Sequence, residues 1–349
     1  MVYSSTKENG KDTLVYVSKL VNSSTGALAN GDAFTLPSKL ITPPASNGKT
    51  VMWTTKSISL DDRYLILAQR QSQSYQPLYI VDISDAANPS KPEYIPLPGV
   101  ISEENTATLY ATFSQDPSQP HLLYLVTDAY GDFESIVTYD IQSKSIVHIT
   151  TPEPNLHAIR PIPWDIGGLH VSEEHILFKA NIDGWDELFV HPLQGKYKGE
   201  IIQVKFDQEV VKFSYLPNTR NGKPWQLVMG LASSRRTSSL FFLDLELAMG
   251  NLQKEEGNLF VRGSLKAYEQ AQAILPAYRT LPAQLIRYKS FDDLEIPVMY
   301  YHPADRQKAV PLVISIHGGP TSQALPLAAT YDTHMLLFPS WFHDVFLNF

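Results

Sequence analysis

Four segments of this sequence repeat one pattern, an apolar strand that ends in a small polar signature. They are QPLYIVDIS (76–84), ESIVTYDIQ (134–142), DELFVHPLQ (186–194) and SSLFFLDLE (238–246). The matching position holds Asp82, Asp140, Pro192 and Asp244, at separations of 58, 52 and 52 residues. A second strand bounded by turns precedes each copy, within the stretches 59–71, 116–131, 172–184 and 221–233. Each unit therefore predicts turn, strand, turn, strand, with further strands such as KSIVHIT (144–150) between units.

A period of about 40–50 residues with four strands per unit is typical of a β-propeller. A four-stranded sheet cannot bury both faces alone, whereas sheets stacked around an axis cover one another. We therefore predict a mainly β chain with about five or more blades, one of them begun by DTLVYVSKL (12–20). The alternative, unrelated strands in a β-sandwich, would not easily keep this spacing over four copies.

The composition of the chain excludes several kinds of site and argues against several kinds of partner. The 349 residues carry a net charge of -8 and contain no cysteine, which excludes disulfides, thiolate metal sites and a cysteine nucleophile. The acidic balance argues against nucleic acid or an anionic membrane as partner. No apolar run reaches the roughly 18 residues of a membrane span, and the N-terminus lacks a signal-peptide pattern. The absence of cysteine fits a cytoplasmic protein, and we expect no cofactor. We also expect no metal site at His170 and His175, because they lack H-E-x-x-H spacing.

The pattern changes after Pro282. Residues 284–289 and 294–301 predict a hairpin, and VPLVISI (310–316) predicts a strand apolar on both faces, as in sheets covered by helices. The strand leads into His317-Gly318-Gly319-Pro320, where two glycines let the backbone approach a ligand closely. We accordingly predict a propeller over residues 1–280 and the start of an α/β-hydrolase domain over 281–349, with an atypical tail after 323.

A propeller followed by IRYKSFDDLEIPVMYYHPA (286–304) and PLVISIHGGPTSQ (311–323) resembles the prolyl oligopeptidase family of serine peptidases. The resemblance is to its acylaminoacyl-peptidase and dipeptidyl-aminopeptidase-like branch, which ANIDGWDELFV (180–190) also resembles. It implies a propeller that filters peptide substrates and an acyl-serine intermediate. It also implies an oxyanion hole in which Gly318 and Gly319 donate backbone N–H groups while His317 and Pro320 shape the loop.

The sequence departs from the family after His317-Gly318-Gly319-Pro320, first at Thr321, where the family often has an acidic residue. Family members place a Gly-x-Ser-x-Gly elbow, then Asp and His, after this loop. The 349 residues contain no such elbow, so Asp332, His334 and His343 are not assigned to a triad. We expect the chain as given to be inactive and its apolar hydrolase segment to be exposed. A truncated gene would explain this, and a non-catalytic propeller that serves as an interaction scaffold is the alternative.

Three acidic pairs, Glu103-Glu104, Glu173-Glu174 and Glu255-Glu256, could in principle hold a substrate amino group, and Arg235-Arg236 could clamp a carboxylate. Solvated turns are the favoured interpretation of all four. Residues 264–278 form the first helix-compatible segment, with loop or strand as alternatives. Substrate preference, blade number and oligomeric state stay open.

Overall fold

The computed structural model describes residues 2–18, 38–44, 50–100, 106–151, 158–220, 223–234, 238–268, 283–301, 312–316, 318, 323–327 and 343–347. The chain divides into two compact units, residues 1–174 and 175–349. Short antiparallel sheets make up both units, and this architecture is that of a β-propeller, as the repeats predict.

The first unit has three sheets in its described part, ordered β1-β2-β3, β4-β5-β6-β7 and β12-β11-β10-β9-β8. Its strands are β1 Val2–Ser5, β2 Leu14–Ser18, β3 Ser38–Leu40, β4 Met52–Ile58, β5 Tyr64–Arg70, β6 Leu78–Asp82, β7 Glu93–Tyr94, β8 Thr108–Phe113, β9 Leu122–Thr127, β10 Ser135–Asp140, β11 Ser145–Thr151, β12 Ala158–Pro161 and β13 Ile166–Val171. Neighbouring strands pair antiparallel, except that β11 and β12 are parallel.

The second unit contains strands in the orders β14-β15-β16-β21-β20, β17-β18-β19-β22 and β23-β24-β26-β25. Its elements are β14 His175–Ile182, β15 Trp185–Pro192, β16 Ile202–Phe206, β17 Lys212–Arg220, β18 Lys223–Ala232, β19 Ser239–Asp244, α1 Leu245–Met249, β20 Gln253–Glu255, β21 Asn258–Gly263, β22 Leu265–Ala267, β23 Gln284–Lys289, β24 Glu295–Tyr301, β25 Leu312–Ile316 and β26 His343–Leu347. The parallel pairing of β16 with β21 joins Ile202 to Leu259.

The repeated sequence patterns form one hairpin in each of four sheets. These hairpins are β5–β6, β9–β10, β14–β15 and β18–β19, and each repeated position is the last residue of the second strand. The aspartates there close the following turn: Asp82 accepts from the N–H of Ser84 at 2.9 Å, and Asp140 from that of Gln142 at 2.8 Å. Asp244 instead caps α1 by accepting from the N–H of Leu247 at 2.9 Å. At three of the four repeated positions, therefore, an aspartate ends the strand and its carboxylate accepts a hydrogen bond from the backbone that follows.

The middle strands are buried on both faces. Leu65, Ile66, Leu67 and Ala68 of β5 have no exposed surface, and they divide between two hydrophobic clusters, one on each side of the sheet. A third cluster in the second unit joins β14–β16 to β17–β19 through Leu188, Val204 and Leu227, among others. Such packing explains why these strands are continuously apolar, since blades cover one another's faces.

A partly buried ion pair within the β14–β15 hairpin is hydrogen-bonded to the next sheet of the second unit. Asp186 of β15 lies 2.5 Å from the Lys179 ammonium of β14, and its Oδ2 accepts from the N–H of Phe213 in β17 at 3.1 Å. Lys179 also donates to the carbonyl of Phe213 at 3.0 Å. The N–H of Asp186 donates to the carbonyl of Val211 at 2.8 Å. This set of bonds fixes the turn end of the β14–β15 hairpin against the next sheet.

The last sheet confirms the predicted hairpin and adds a strand that the sequence did not indicate. Strands β23 and β24 pair antiparallel from Gln284↔Tyr300 to Lys289↔Glu295. The tail strand β26 lies between β24 and β25, antiparallel to the first and parallel to the second. Ile314 and Ile316 of β25 are 56% and 61% exposed, so this apolar strand is not covered on both faces.

Helical structure is sparse in the described residues. The helix α1 follows the fourth repeat, where an Asp cap and the sequence LELAM favour one turn. The helix-compatible segment 264–278 begins instead as strand β22, and residues 269–278 lie outside the described part. Among the described residues, no helix has the length and apolar character that crossing a membrane requires.

Candidate oxyanion segment and the blade turn that contacts it

The predicted oxyanion residues follow the carboxyl end of β25. Gly318 is exposed, and a Cβ built on it would meet no atom within 4 Å. His317, Gly319 and Pro320 lie outside the described residues. The assignment of these four residues to an oxyanion hole therefore stays a prediction. The chain is described again from Gln323 to Leu327.

The turn between β14 and β15 lies in the segment ANIDGWDELFV. Ile182 pairs with Trp185, which leaves Asp183 and Gly184 as a two-residue loop. Both have positive φ, 54° and 94°, as a type I′ turn requires, and Asp-Gly is a preferred sequence for it. Asn181 Oδ1 accepts from the N–H of Gly184 at 3.1 Å and so closes the turn. We call residues 181–185 the blade turn.

The blade turn contacts the segment after the predicted oxyanion loop. Asn181 Nδ2 donates to Gln323 Oε1 at 3.0 Å, and Gln323 Nε2 donates back to Asn181 Oδ1 at 3.4 Å. Two amide side chains thus pair with each other across 142 residues of sequence.

The same turn also contacts the β23–β24 hairpin. Arg287 Nη2 of β23 forms an ion pair with Asp183 Oδ1, and both side chains are about one-third exposed. A Cβ on Gly184 would lie 2.9 Å from Met299 Cε of β24 and 3.5 Å from Pro326 Cδ. The positive φ favours glycine here, and a Cβ would also oblige the flexible end of Met299 to shift.

The remaining sequence candidates do not gather into a site. Glu255 forms an exposed ion pair with Lys205 at 2.8 Å, which lowers the pKa of that carboxyl, and Glu256 occupies a turn with φ 49°. Glu173 and Glu174 lie in the turn before β14. The pairs Glu103-Glu104 and Arg235-Arg236 lie outside the described residues, as do Asp332 and His334, whereas His343 begins β26.

Burial lowers the pKa of His170. Within the described ranges, no group of three or more His, Asp or Glu side chains is arranged to hold a metal ion.

One polar cluster in the first unit has no sequence signature. Burial raises the pKa of Glu134 to about 8, with the hydrogen-bonded Asp165 carboxyl as the next cause. The N–H of Glu134 also donates to Asp165 Oδ1 at 3.4 Å. Burial raises the pKa of nearby Asp128, whose Oδ1 accepts from the N–H of Ala107 at 2.7 Å. The raised pKa favours the protonated form of Glu134 at neutral pH, and in that form its carboxyl can donate a hydrogen bond to Asp165.

Known proteins resemble this chain in structure and not in sequence. No family model matches it, and no curated protein matches it. The solved structure of prolyl oligopeptidase B from Galerina marginata, bound to a 35mer hydrolysis and macrocyclization substrate, superposes with a TM-score of 0.65 at 13% identity. That match covers 99% of this chain and 43% of the other.

Two further solved structures of peptidases superpose on this chain with similar scores. A prolyl endopeptidase gives a TM-score of 0.63 at 12% identity, over 99% of this chain and 44% of its own. A puromycin hydrolase gives a TM-score of 0.60 at 16% identity, and the match covers 85% of this chain and 41% of the hydrolase. This chain therefore spans less than half the length of these peptidases, over their propeller part. The chain has the fold of the prolyl oligopeptidase family of serine peptidases, over its N-terminal propeller.

Proposed function

We propose that this chain provides the propeller and the oxyanion strand of a serine peptidase of the prolyl oligopeptidase type, acting on short peptides or acyl-peptides. The observation that carries the proposal is the exposed Gly318 at the end of β25, in a chain with the fold of such peptidases. The propeller, proposed to span residues 1–280, would select peptides by size before they reach the segment 281–349.

The proposed chemistry of the segment is electrostatic. Backbone N–H groups of Gly318 and Gly319 would donate to the oxygen that becomes negative when a peptide carbonyl is attacked. His317 and Pro320 would set the direction of these donors. The 349 residues offer no serine elbow to make the attack, so we propose that they bind peptides and do not hydrolyse them.

The experiment is an assay of the purified 349-residue chain. Chromogenic aminoacyl and acyl-peptide substrates should show no turnover above buffer, and fluorescent peptides of three to ten residues should bind reversibly. Turnover by this chain would contradict the proposed inactivity. Failure to bind any peptide of the series would contradict the substrate class.

A non-catalytic propeller scaffold is the second candidate. It is favoured by the three hydrophobic clusters described above, which pack the sheets before Tyr268 against one another. A propeller with such cores could bind a partner without the segment 281–349. In that case residues 1–280 alone should give a soluble product with a cooperative unfolding transition, and peptides of the series should not compete with its partner.

A further inference from the structure

We propose that Lys56, at the contact between strands β4 and β8, is a binding residue for the C-terminal carboxylate of a peptide. This inference rests on the proposed function, because it names the group of the peptide that the propeller would recognise. It does not depend on the segment after β25, since every residue that carries it belongs to the first unit.

Two β-bulges bring Lys56 and Leu109 together. The pairing of β4 with β5 skips Lys56, and the pairing of β8 with β9 skips Leu109, so each is the extra residue of its strand. A bulge redirects the side chain of the bulged strand. Here the Lys56 ammonium donates to the carbonyl oxygen of Leu109 at 2.9 Å. The N–H of Phe113 donates to Ser57 Oγ at 3.1 Å, so a second bond joins the two strands beside this contact.

The two strands are end strands of neighbouring sheets. β4 ends the sheet β4–β7, β8 ends the sheet β8–β12, and β8 contacts both β4 and β13. Sheets arranged around a propeller axis converge at the end strands nearest the central channel. Lys56 is accordingly on the edge of the sheet that a peptide in the channel would meet.

Lys56 has no carboxylate partner among the residues that the structure describes. Its hydrogen bond there goes to the Leu109 carbonyl, and burial alone lowers its pKa. Lys179 provides the comparison, because it also donates to a carbonyl of the next sheet, that of Phe213, but is paired with Asp186 at 2.5 Å. A bound anion would supply at Lys56 what Asp186 supplies at Lys179, and it would offset the cost of burying the charge.

The surroundings of Lys56 indicate the class of anion. A single ammonium matches one negative charge, and the bond to Leu109 uses one of its three N–H donors. The side chains of Leu109 and the following Tyr110 are both 38% exposed, so they offer apolar surface next to the ammonium. The C-terminal residue of a peptide combines the two matching groups, a carboxylate that can accept charge-assisted hydrogen bonds and an adjacent side chain that can pack on this surface.

The free-acid and amide forms of one fluorescent hexapeptide that ends in leucine test the site. The 349-residue chain should bind the acid about tenfold more tightly than the amide, as a hydrogen bond to a charged group predicts. Lys56→Gln should abolish this preference by weakening the acid alone. The matched control Lys91→Gln removes an exposed lysine of the same unit and should keep the preference. Equal affinities of acid and amide for the unsubstituted chain, or a preference that survives Lys56→Gln, would overturn the proposal.

A second measurement needs neither a variant nor a peptide. Reductive methylation followed by mass spectrometry reports the accessibility of each lysine amine. N-acetyl-leucine should slow the methylation of Lys56 and not that of Lys91, whereas N-acetyl-leucinamide should slow neither. Absence of this protection would overturn the site. Protection of Lys56 in a chain that binds no peptide would support the carboxylate site and contradict the proposed function, so the two failures are distinguishable.

Discussion

Strand β5 of a blade and strand β25 of the last sheet are both largely apolar in sequence, but they differ in what covers them. In β5, four successive residues from Leu65 to Ala68 are fully buried between two clusters. In β25, Ile314 and Ile316 are more than half exposed, and five of the six residues of β23 are exposed. An apolar run therefore predicts a strand that can be buried on both faces, but whether it is buried depends on the elements that pack against it.

The difference has a consequence for where stability resides. Blade strands contribute through buried area and through the Lys179–Asp186 pair, which bonds to Phe213 of the next sheet, while the last sheet depends on β24 and on the blade turn. Substitutions in the blades should accordingly cost more than equivalent ones in the last sheet. The following predictions test this contrast.

The largest effect is expected at Asp186. Asp186→Ala leaves the Lys179 ammonium beside buried surface and removes the acceptor of the Phe213 N–H, so we expect a loss of about 3–5 kcal/mol in the free energy of unfolding. Urea denaturation measures it. The double variant Lys179→Met with Asp186→Leu should be clearly more stable than Asp186→Ala. If the single variant loses less than about 1 kcal/mol, the pair does not fasten the two sheets.

A smaller effect is expected at Gly184, and Gly195 provides the comparison. Both glycines have positive φ, but a Cβ on Gly184 meets Met299 at 2.9 Å, whereas one on Gly195 meets nothing. Both substitutions should cost about 1 kcal/mol for backbone strain, and Gly184→Ala should cost up to about 1 kcal/mol more because the flexible end of Met299 must shift. A lower melting temperature for Gly195→Ala than for Gly184→Ala would contradict this order.

The protonated Glu134 predicts a pH dependence. Its pKa is about 8 in the folded chain, above the ordinary 4.5, so the folded state keeps a proton that the unfolded state has released. This contribution to stability is complete below about pH 4.5 and is lost as the pH rises to about 8. Asp165 and Asp128 are the carboxylates that face it.

Glu134→Gln should remove this dependence. Urea midpoints at pH 6 and pH 8.5 should fall further for the unsubstituted chain than for Glu134→Gln, which keeps a donor towards Asp165. Parallel changes in the two proteins would contradict a shared proton between Glu134 and Asp165. Other titrating groups, such as the buried histidines, cancel in this comparison.

The smallest effect on stability is expected on the exposed face of the last sheet. Phe291 in the β23–β24 turn is fully exposed, so Phe291→Ser should change the free energy of unfolding by less than about 0.5 kcal/mol. It should nevertheless slow aggregation, because it removes an exposed aromatic ring. Light scattering at a fixed protein concentration measures the rate. A destabilisation comparable with that of a blade residue would show that this face is covered.

Local features were predictable from the sequence. The repeated hairpins were predictable because Asp82 and Asp140 close their turns by bonding to residues only two positions away. The β23–β24 hairpin was predictable for the same reason. The apolar run before His317 likewise predicted strand β25.

Long-range features were not predictable. The sequence identified ANIDGWDELFV as a blade motif but gave no sign that Asn181 meets Gln323, since that contact depends on how separate elements pack. Glu134 and Asp165 lie on different loops, and only folding raises the pKa of Glu134. The tail strand β26 was missed because its pairing partners are distant in sequence.

The parallel pairing of β16 with β21 bears on the order of folding. Most blade contacts are between strands adjacent in sequence, and such contacts form quickly. Ile202, however, pairs with Leu259, and the whole hairpin series β17–β19 lies between these two residues in the sequence. Closing so long a loop carries an entropic cost unless that series has already become compact. We therefore expect these two sheets to refold in a single kinetic phase, slower than the sheet β4–β7, whose strands follow one another directly.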